Sequence, residues 1–117
     1  MRFLPASIHG VIDYLAAIAL IVAPFFLIPA SDGPIAMYLS VAAGVALILY
    51  SLITDYSVSI RNALPFSVHL IIDFLAGAAF VAAPFIFGFE GITELYHLVM
   101  GVTVILVVLV TNPNTNS

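Results

Sequence analysis

Apolar residues form four long segments of the chain, and short polar stretches separate them. The segments lie at 6–29, 35–56, 66–89 and 93–111. An α-helix needs ~20 residues to cross a hydrocarbon layer of ~30 Å, and each segment is near this length. Because backbone amides in lipid must be satisfied within the segment itself, the pattern predicts four transmembrane helices rather than strands.

The first and third segments are copies of one another. Residues 4–25 align with residues 64–85 without a gap, and twelve of the twenty-two positions are identical. The shared pattern is L-P-x-S-x-H-x-x-I-D-x-L-A-x-x-A-x-x-x-A-P-F. The second and fourth segments match more weakly, at a tyrosine, a glycine and a threonine: Tyr38 with Tyr96, Gly44 near Gly101, and Thr54 near Thr111.

Each repeat unit is a two-helix hairpin, so the chain returns to its starting side and both units have the same orientation. Parallel repeats of this kind are related by a pseudo-twofold axis along the membrane normal. We therefore predict an all-α integral membrane protein of two tandem repeats, residues 1–60 and 61–117. The axis would place the histidines and aspartates of the two copies at equal depths.

Composition supports membrane insertion. The chain has 117 residues, of which 64% are hydrophobic and 7% charged, and its mean hydropathy is +1.28. Soluble domains have about 25% charged residues. The net charge is −4 and the only basic residues are Arg2 and Arg61, which excludes a nucleic-acid partner because phosphate binding needs clustered Lys and Arg. The absence of cysteine excludes disulfides and covalent haem attachment.

The basic residues predict the orientation in the membrane. Arg2 precedes the first helix and Arg61 lies between the second and third, so four spans place both on one side. Positive residues favour the cytoplasmic side, so we expect both termini there. The first segment is longer than the apolar region of a signal peptide and contains His9 and Asp13, so we expect it to be retained as a helix.

The start L-P-x-S-x-H-x-x-I-D, the A-P-F triplet and the paired hairpins resemble the SPW-repeat family of small bacterial membrane proteins. The resemblance covers nearly the whole chain. The family is named after a Ser-Pro-Trp triplet, and residues 23–25 and 83–85 read Ala-Pro-Phe here. The resemblance implies the architecture and a location in the bacterial inner membrane, and it brings no established activity. We expect Pro24 and Pro84 to mark a helix kink or a helix end.

A histidine and an aspartate recur four residues apart in the two copies, as His9 with Asp13 and His69 with Asp73. This spacing places each pair on one helix face, and Asp13 lies about 12 Å from the helix start. An aspartate near a helix centre costs about 2.5–3.5 kcal/mol. Because small residues beside the pairs allow close helix approach, we predict that the pairs clasp the first and third helices together.

Three other interpretations of the pairs stay open. An intramembrane carboxylate beside a histidine is a plausible unit of a proton or ion pathway in an oligomer. His9 and His69 could be the axial ligands of a b-type haem. Together with Asp13 and Asp73 they could also bind zinc, iron or manganese. The clasp itself requires no cofactor and no metal.

Enzyme motifs are missing from the sequence, which has no nucleophile elbow, glycine-rich phosphate loop or metalloprotease motif. We therefore predict a non-enzymatic accessory or scaffolding protein in a membrane assembly. Its partners would be the lipid bilayer and either other membrane subunits or further copies of itself.

Aromatic and polar residues near the segment ends favour a position at the membrane surface. Tyr38, Tyr56 and Tyr96 fit interfacial anchors. His97 has no counterpart in the first repeat, and Glu94 lies three residues before it. We expect these last two residues to form a solvated cap.

Overall fold

The computed structural model describes residues 2–56 and 59–113, so residues 1, 57–58 and 114–117 of the two predicted repeats lie outside the described residues. The described chain contains four α-helices and one 3₁₀ turn at Ala30–Asp32: α1 Ala6–Leu27, α2 Pro34–Leu52, α3 Phe66–Phe87 and α4 Gly91–Val110. Each helix is long and apolar enough to cross a membrane. The predicted all-helical membrane fold is confirmed, whereas the repeat axis and the membrane orientation stay predictions.

The largest difference from the predicted boundaries is at the end of α2, which stops at Leu52 instead of residue 56. The backbone N–H of Asp55 donates to the carbonyl of Leu64 at 2.7 Å, and the N–H of Leu64 donates to that of Ile53 at 2.7 Å. These bonds pair the end of α2 with the segment before α3. The helical bonds therefore stop where pairing with a distant segment begins.

Pro24 and Pro84 lie inside the last turn of α1 and α3, three residues before each helix ends. The carbonyl of Pro24 accepts a hydrogen bond from the N–H of Ile28 at 3.0 Å. After the second proline, Gly88 takes a left-handed conformation with φ of 72°, a common way for a helix to end. Both helices therefore end within one turn after the proline.

A glycine brings the two helices of each hairpin together. A Cβ atom on Gly44 of α2 would lie 2.8 Å from the carbonyl oxygen of Ala17, and one on Gly101 of α4 would lie 2.6 Å from that of Gly77. Only glycine allows such close backbone contact. The two glycines are 57 positions apart in the sequence, as are Thr54 and Thr111. Tyr38 and Tyr96 are 58 positions apart, so the predicted alignment of these two tyrosines is wrong by one residue.

The outer surface of the helices is apolar, with large side chains such as Leu15 and Phe26 mostly exposed. Between the hairpins lies an apolar groove that residues of all four helices line, among them Leu20, Leu47 and Phe80. The outer surface has the character expected of a face in contact with lipid. The groove leads to a polar region at one end of the bundle.

We call this end, where α1 and α3 begin and α2 and α4 end, the termini end, and the opposite end the turn end. Two short extended pairings lie at the termini end, Leu4 with Thr111 and Leu64 with Thr54. The N–H of Leu4 donates to Val110 at 2.9 Å, so the segment before α1 is joined to the end of α4. These pairings place the two threonines beside the start of α1 and of α3.

Candidate functional site

All four residues that the sequence pattern selects meet at the termini end. His9 and Asp13 lie on α1, and His69 and Asp73 lie on α3. Their exposed fractions are 1%, 5%, 0% and 4%, so the group is buried. We call these four residues the His/Asp cluster. Its members come from both hairpins, which makes it a single site rather than two separate pairs.

Each imidazole of the cluster faces both carboxylates. The Nε2 atom of His9 lies 3.2 Å from Asp13 Oδ1 and 2.9 Å from Asp73 Oδ2. The Nε2 atom of His69 lies 2.8 Å from Asp13 Oδ2 and 3.1 Å from Asp73 Oδ2. For both histidines the shorter distance joins α1 to α3.

The Nδ1 atoms of the two histidines are bonded to threonines of the opposite hairpin. His9 Nδ1 lies 2.8 Å from Thr111 Oγ1, and His69 Nδ1 lies 2.7 Å from Thr54 Oγ1. Each threonine hydroxyl also donates to the carbonyl four residues earlier, at 2.5 and 2.6 Å respectively. Because a hydroxyl has a single hydrogen, each Nδ1–H must be the donor to its threonine.

Two tyrosine hydroxyls donate to the carboxylates. Tyr50 of α2 donates to Asp73 Oδ1, and Tyr56, just beyond α2, donates to Asp13 Oδ2 at 3.2 Å. Burial raises the pKa of the Tyr56 phenol above its usual value, and the charge of Asp13 raises it further. Tyr56 therefore stays protonated and available as a donor. Each of the four cluster residues thus has one hydroxyl partner.

The matched hydroxyl contacts of the two histidines agree with the internal repeat. A family model for the SPW repeat domain matches residues 7–111, a range that contains the whole cluster. The chain belongs to the SPW repeat domain family. The resemblance in the L-P-x-S-x-H-x-x-I-D pattern is thereby confirmed. No curated protein and no solved structure matches this SPW repeat chain.

Sequence reasoning missed the hydroxyl partners of this SPW repeat protein. Thr54 and Thr111 could have been found, because they match between the repeats and follow the apolar segments. Tyr50 gives no such signal, because the position 57 residues later is Val107. The prediction that Tyr56 anchors the membrane surface is wrong, since its side chain is buried against the cluster.

The prediction of a solvated cap at His97 is also wrong. Its side chain has 0% exposure, and its ring centroid lies 5.1 Å from that of Phe80. Its Nδ1–H donates to the carbonyl of Thr93 at 2.8 Å, and its Nε2 has no partner among the described residues. Because α4 begins at Gly91, His97 lies between one and two turns inside the helix, on its inner face.

The prediction that Tyr96 is an interfacial anchor is wrong as well, because only 6% of this residue at the turn end is exposed. Its hydroxyl lies 2.5 Å from Ser40 Oγ, which itself donates to the carbonyl of Leu20 at 2.8 Å. Tyr96 is therefore the donor to the serine, and the bond joins α4 to α2. Tyr38, in contrast, is 69% exposed, so its role as an interfacial anchor stays a prediction.

Proposed function

We propose that this SPW repeat protein is a non-enzymatic component of a membrane assembly in which the His/Asp cluster clasps the two hairpins together. The observation that carries the proposal is the crossed pairing between helices. His9 of α1 faces Asp73 at 2.9 Å, and His69 of α3 faces Asp13 at 2.8 Å. Removing one partner of a buried ion pair leaves an uncompensated charge and costs about 3–5 kcal/mol.

The hydroxyl partners strengthen this clasp, because three of the four also join one hairpin to the other. Thr111 of the second hairpin accepts from His9, and Thr54 of the first accepts from His69. Tyr50 of the first hairpin donates to Asp73 of the second. Polar bonds between membrane helices contribute about 0.6–2 kcal/mol each. The cluster and its partners therefore form one connected link between the hairpins.

The accessory and scaffolding role follows from what the rest of the molecule offers. The cluster is buried, so its imidazoles and carboxylates are occupied with each other rather than open to a substrate. The outer faces of the helices carry large exposed apolar side chains, which suit contact with lipid, with other membrane subunits or with further copies of this chain. A rigid pair of hairpins would give such partners a fixed surface.

A proton or ion pathway has less support. Tyr50, Asp73 and His9 form a chain of hydrogen-bonding groups, but they lie at the termini end. Toward the turn end the groove between the hairpins is lined by apolar residues, including Leu20 and Phe80. A pathway across the membrane would need polar groups or water along that stretch.

A haem also has less support. Both aspartates place an oxygen within 3.2 Å of the Nε2 atoms of His9 and His69. A bis-histidine haem would need its flat macrocycle between these two nitrogens. The carboxylates occupy that space.

The clasp can be tested with trypsin, because Arg2 and Arg61 are the only basic residues of the chain. Arg61 is exposed in the connection between the hairpins, so cleavage after it divides the protein into its two hairpins. In mild detergent we expect the cleaved wild-type hairpins to elute together from a size-exclusion column. The double variant Asp13→Asn, Asp73→Asn should release them, or release them at a lower temperature.

The matched control is Glu90→Gln at the turn end, which removes an exposed carboxylate. Its cleaved hairpins should stay together as in the wild type. Equal association of the cleaved hairpins in the wild type and in the double variant, at every temperature, would contradict the clasp.

A further inference from the structure

We propose that the His/Asp cluster binds one four-coordinate divalent metal ion of the first transition row, with zinc as the preferred ion. The ligands would be Nε2 of His9, Nε2 of His69, and one carboxylate oxygen each from Asp13 and Asp73. This inference rests on the proposed function, because the metal ion would lie in the clasp and would strengthen it.

The spacing of the donor atoms fits a tetrahedral site. Zinc binds histidine nitrogen and carboxylate oxygen at roughly 2.0–2.2 Å, which places neighbouring ligand atoms of a tetrahedron about 3.4 Å apart. Asp73 Oδ2 lies 2.9 Å from His9 Nε2 and 3.1 Å from His69 Nε2. Asp13 faces the two histidines with different oxygens, Oδ1 at 3.2 Å from His9 Nε2 and Oδ2 at 2.8 Å from His69 Nε2. One donor atom from each residue can be chosen so that all four lie within 4.8 Å of one another. Small movements of the side chains would complete the coordination.

The hydrogen bonds of the histidines leave their Nε2 atoms directed at the cluster. Each Nδ1–H donates to a threonine hydroxyl, Thr111 for His9 and Thr54 for His69. A histidine ligand in a metal site usually donates its other ring N–H to a hydrogen-bond acceptor, which fixes the ring orientation. In the neutral imidazole, Nε2 then carries the lone pair that a metal ion needs.

His69 Nε2 is the atom that favours a metal ion over protons. It is fully buried and 2.8 Å from Asp13 Oδ2, yet no described residue forms a hydrogen bond with it. A proton on Nε2 would have no well-directed acceptor, and a lone pair there would face carboxylate oxygen. A cation between the nitrogen and the oxygens removes both problems, since metal coordination does not require the N–H···O direction of a hydrogen bond.

Charge balance is compatible with a metal ion. Two buried carboxylates require two positive charges, because an uncompensated charge in a dry interior is costly. One divalent cation with two neutral imidazoles makes the site neutral. Two imidazolium ions would also make it neutral, but the Nε2–H of His69 would then lack a well-directed acceptor. Charge alone therefore allows either one divalent ion or two protons, and it is the geometry at His69 Nε2 that favours the ion.

The hydroxyl groups around the cluster form a complete outer shell with one donor or acceptor per ligand: Thr111 for His9, Thr54 for His69, Tyr56 for Asp13 and Tyr50 for Asp73. Such outer partners orient the ligands, and losing one lowers metal affinity 10–100-fold. Two imidazoles and four-fold coordination favour zinc, because magnesium and calcium prefer six or more oxygen ligands. Four protein ligands indicate a structural rather than a catalytic ion.

The test is metal binding by the full-length protein in detergent after removal of bound metal with a chelator. We expect one Zn²⁺ per chain by elemental analysis after dialysis. With Co²⁺ as the probe, we expect the strong visible absorption of a tetrahedral ion. The variant Asp13→Asn, Asp73→Asn should lose both signals, whereas His97→Gln, which removes a buried histidine outside the cluster, should keep them.

Two further variants keep the test decisive if the aspartate variant fails to fold. Thr54→Val and Thr111→Val leave all four ligands in place, and each should lower Zn²⁺ affinity 10–100-fold. Helical circular dichroism reports folding in every sample. Folded wild-type protein that binds no Zn²⁺, or an octahedral Co²⁺ spectrum, would overturn the metal site.

The trypsin experiment separates this inference from the proposed function. If metal-free wild-type hairpins stay together and no Zn²⁺ binds, the metal site is wrong and the clasp stands. If Zn²⁺ binds but the cleaved, metal-loaded hairpins separate as freely as those of the double aspartate variant, the metal site stands and the clasp is wrong.

Discussion

The termini end and the turn end of the bundle both join the hairpins, but they do so with different side chains. At the termini end, each repeat contributes a histidine and an aspartate to one shared cluster. At the turn end, Tyr96 of α4 donates to Ser40 of α2, and Thr93 donates to Asp32. These turn-end contacts do not recur between equivalent positions of the two repeats.

Aligned positions show this contrast directly. Thr54 and Thr111 are 57 residues apart and do the same thing, since each accepts a hydrogen bond from a histidine of the opposite hairpin. Ser40 and His97 are also 57 residues apart, but the serine bonds across the hairpins and the histidine packs among aromatic rings. The repeat is thus preserved where both copies complete one charged site, and lost where the aligned polar groups make unrelated contacts.

Carboxylates at the two ends should differ most in stability. We expect Asp73→Asn to lower the free energy of unfolding by about 3–5 kcal/mol, because both buried imidazoles lose a charged partner. Asp32→Asn should cost about 1 kcal/mol or less, because Asp32 is exposed. Denaturation in detergent, followed by circular dichroism, measures both. Equal losses would remove the distinction between the ends.

The glycine contacts between the ends should behave alike in both hairpins. Gly44→Ala and Gly101→Ala place a methyl group within 2.8 Å and 2.6 Å of a backbone carbonyl oxygen. Such overpacking should cost about 1–3 kcal/mol in each case, although alanine is the better helix former. The control is Ala46→Val on the exposed face of α2, which should have little effect in the same unfolding measurement. A stable Gly101→Ala variant would contradict the close contact.

Threonine variants sharpen the comparison of aligned positions. Thr54→Val and Thr111→Val should each cost about 1–3 kcal/mol, because a buried histidine N–H loses its acceptor. We expect the two losses to agree within about 0.5 kcal/mol, as equivalent sites should. At the turn end, Ser40→Ala should be destabilising because hydrogen bonds are lost. Truncation of its aligned residue His97 should be destabilising for another reason, the loss of ring packing. Clearly unequal threonine losses would show that the repeat is not preserved in the cluster.

The smallest effect is expected at His97. His97→Phe removes a buried Nε2 that has no partner in the described chain and keeps an aromatic ring against Phe80. Replacing a poorly satisfied polar group by an apolar one of similar shape is nearly neutral or stabilising. The thermal midpoint should therefore stay the same or rise, while His9→Phe should lower it strongly. A large loss at His97 would indicate an essential partner there.

The sequence predicted the cluster because its signal is local and repeated. A histidine and an aspartate four residues apart share a helix face, and two copies in apolar segments must compensate one another. Helix number followed from length and hydropathy. The early end of α2 could not be predicted, because it depends on backbone bonds to Leu64, which belongs to another segment.

The inward positions of Tyr50 and His97 were equally hidden from sequence reasoning. In an apolar segment the inner and outer faces carry the same kinds of residue, so no hydrophobic pattern reveals which way a tyrosine or a histidine points. The rotation of each helix is set by close contacts such as Gly44 against Ala17. Those contacts become visible only when the two helices of a hairpin are packed together.

The central claim is that the two hairpins share one set of charges, and a double-mutant cycle between His9 and Asp73 tests it most directly. Unfolding free energies of the wild type, His9→Gln, Asp73→Asn and the double variant give their coupling energy. A parallel cycle between His97 and Asp73, which lie at opposite ends, should be additive within about 0.5 kcal/mol. We predict a coupling of about 1–3 kcal/mol between His9 and Asp73. Additive losses at this pair would contradict the shared cluster.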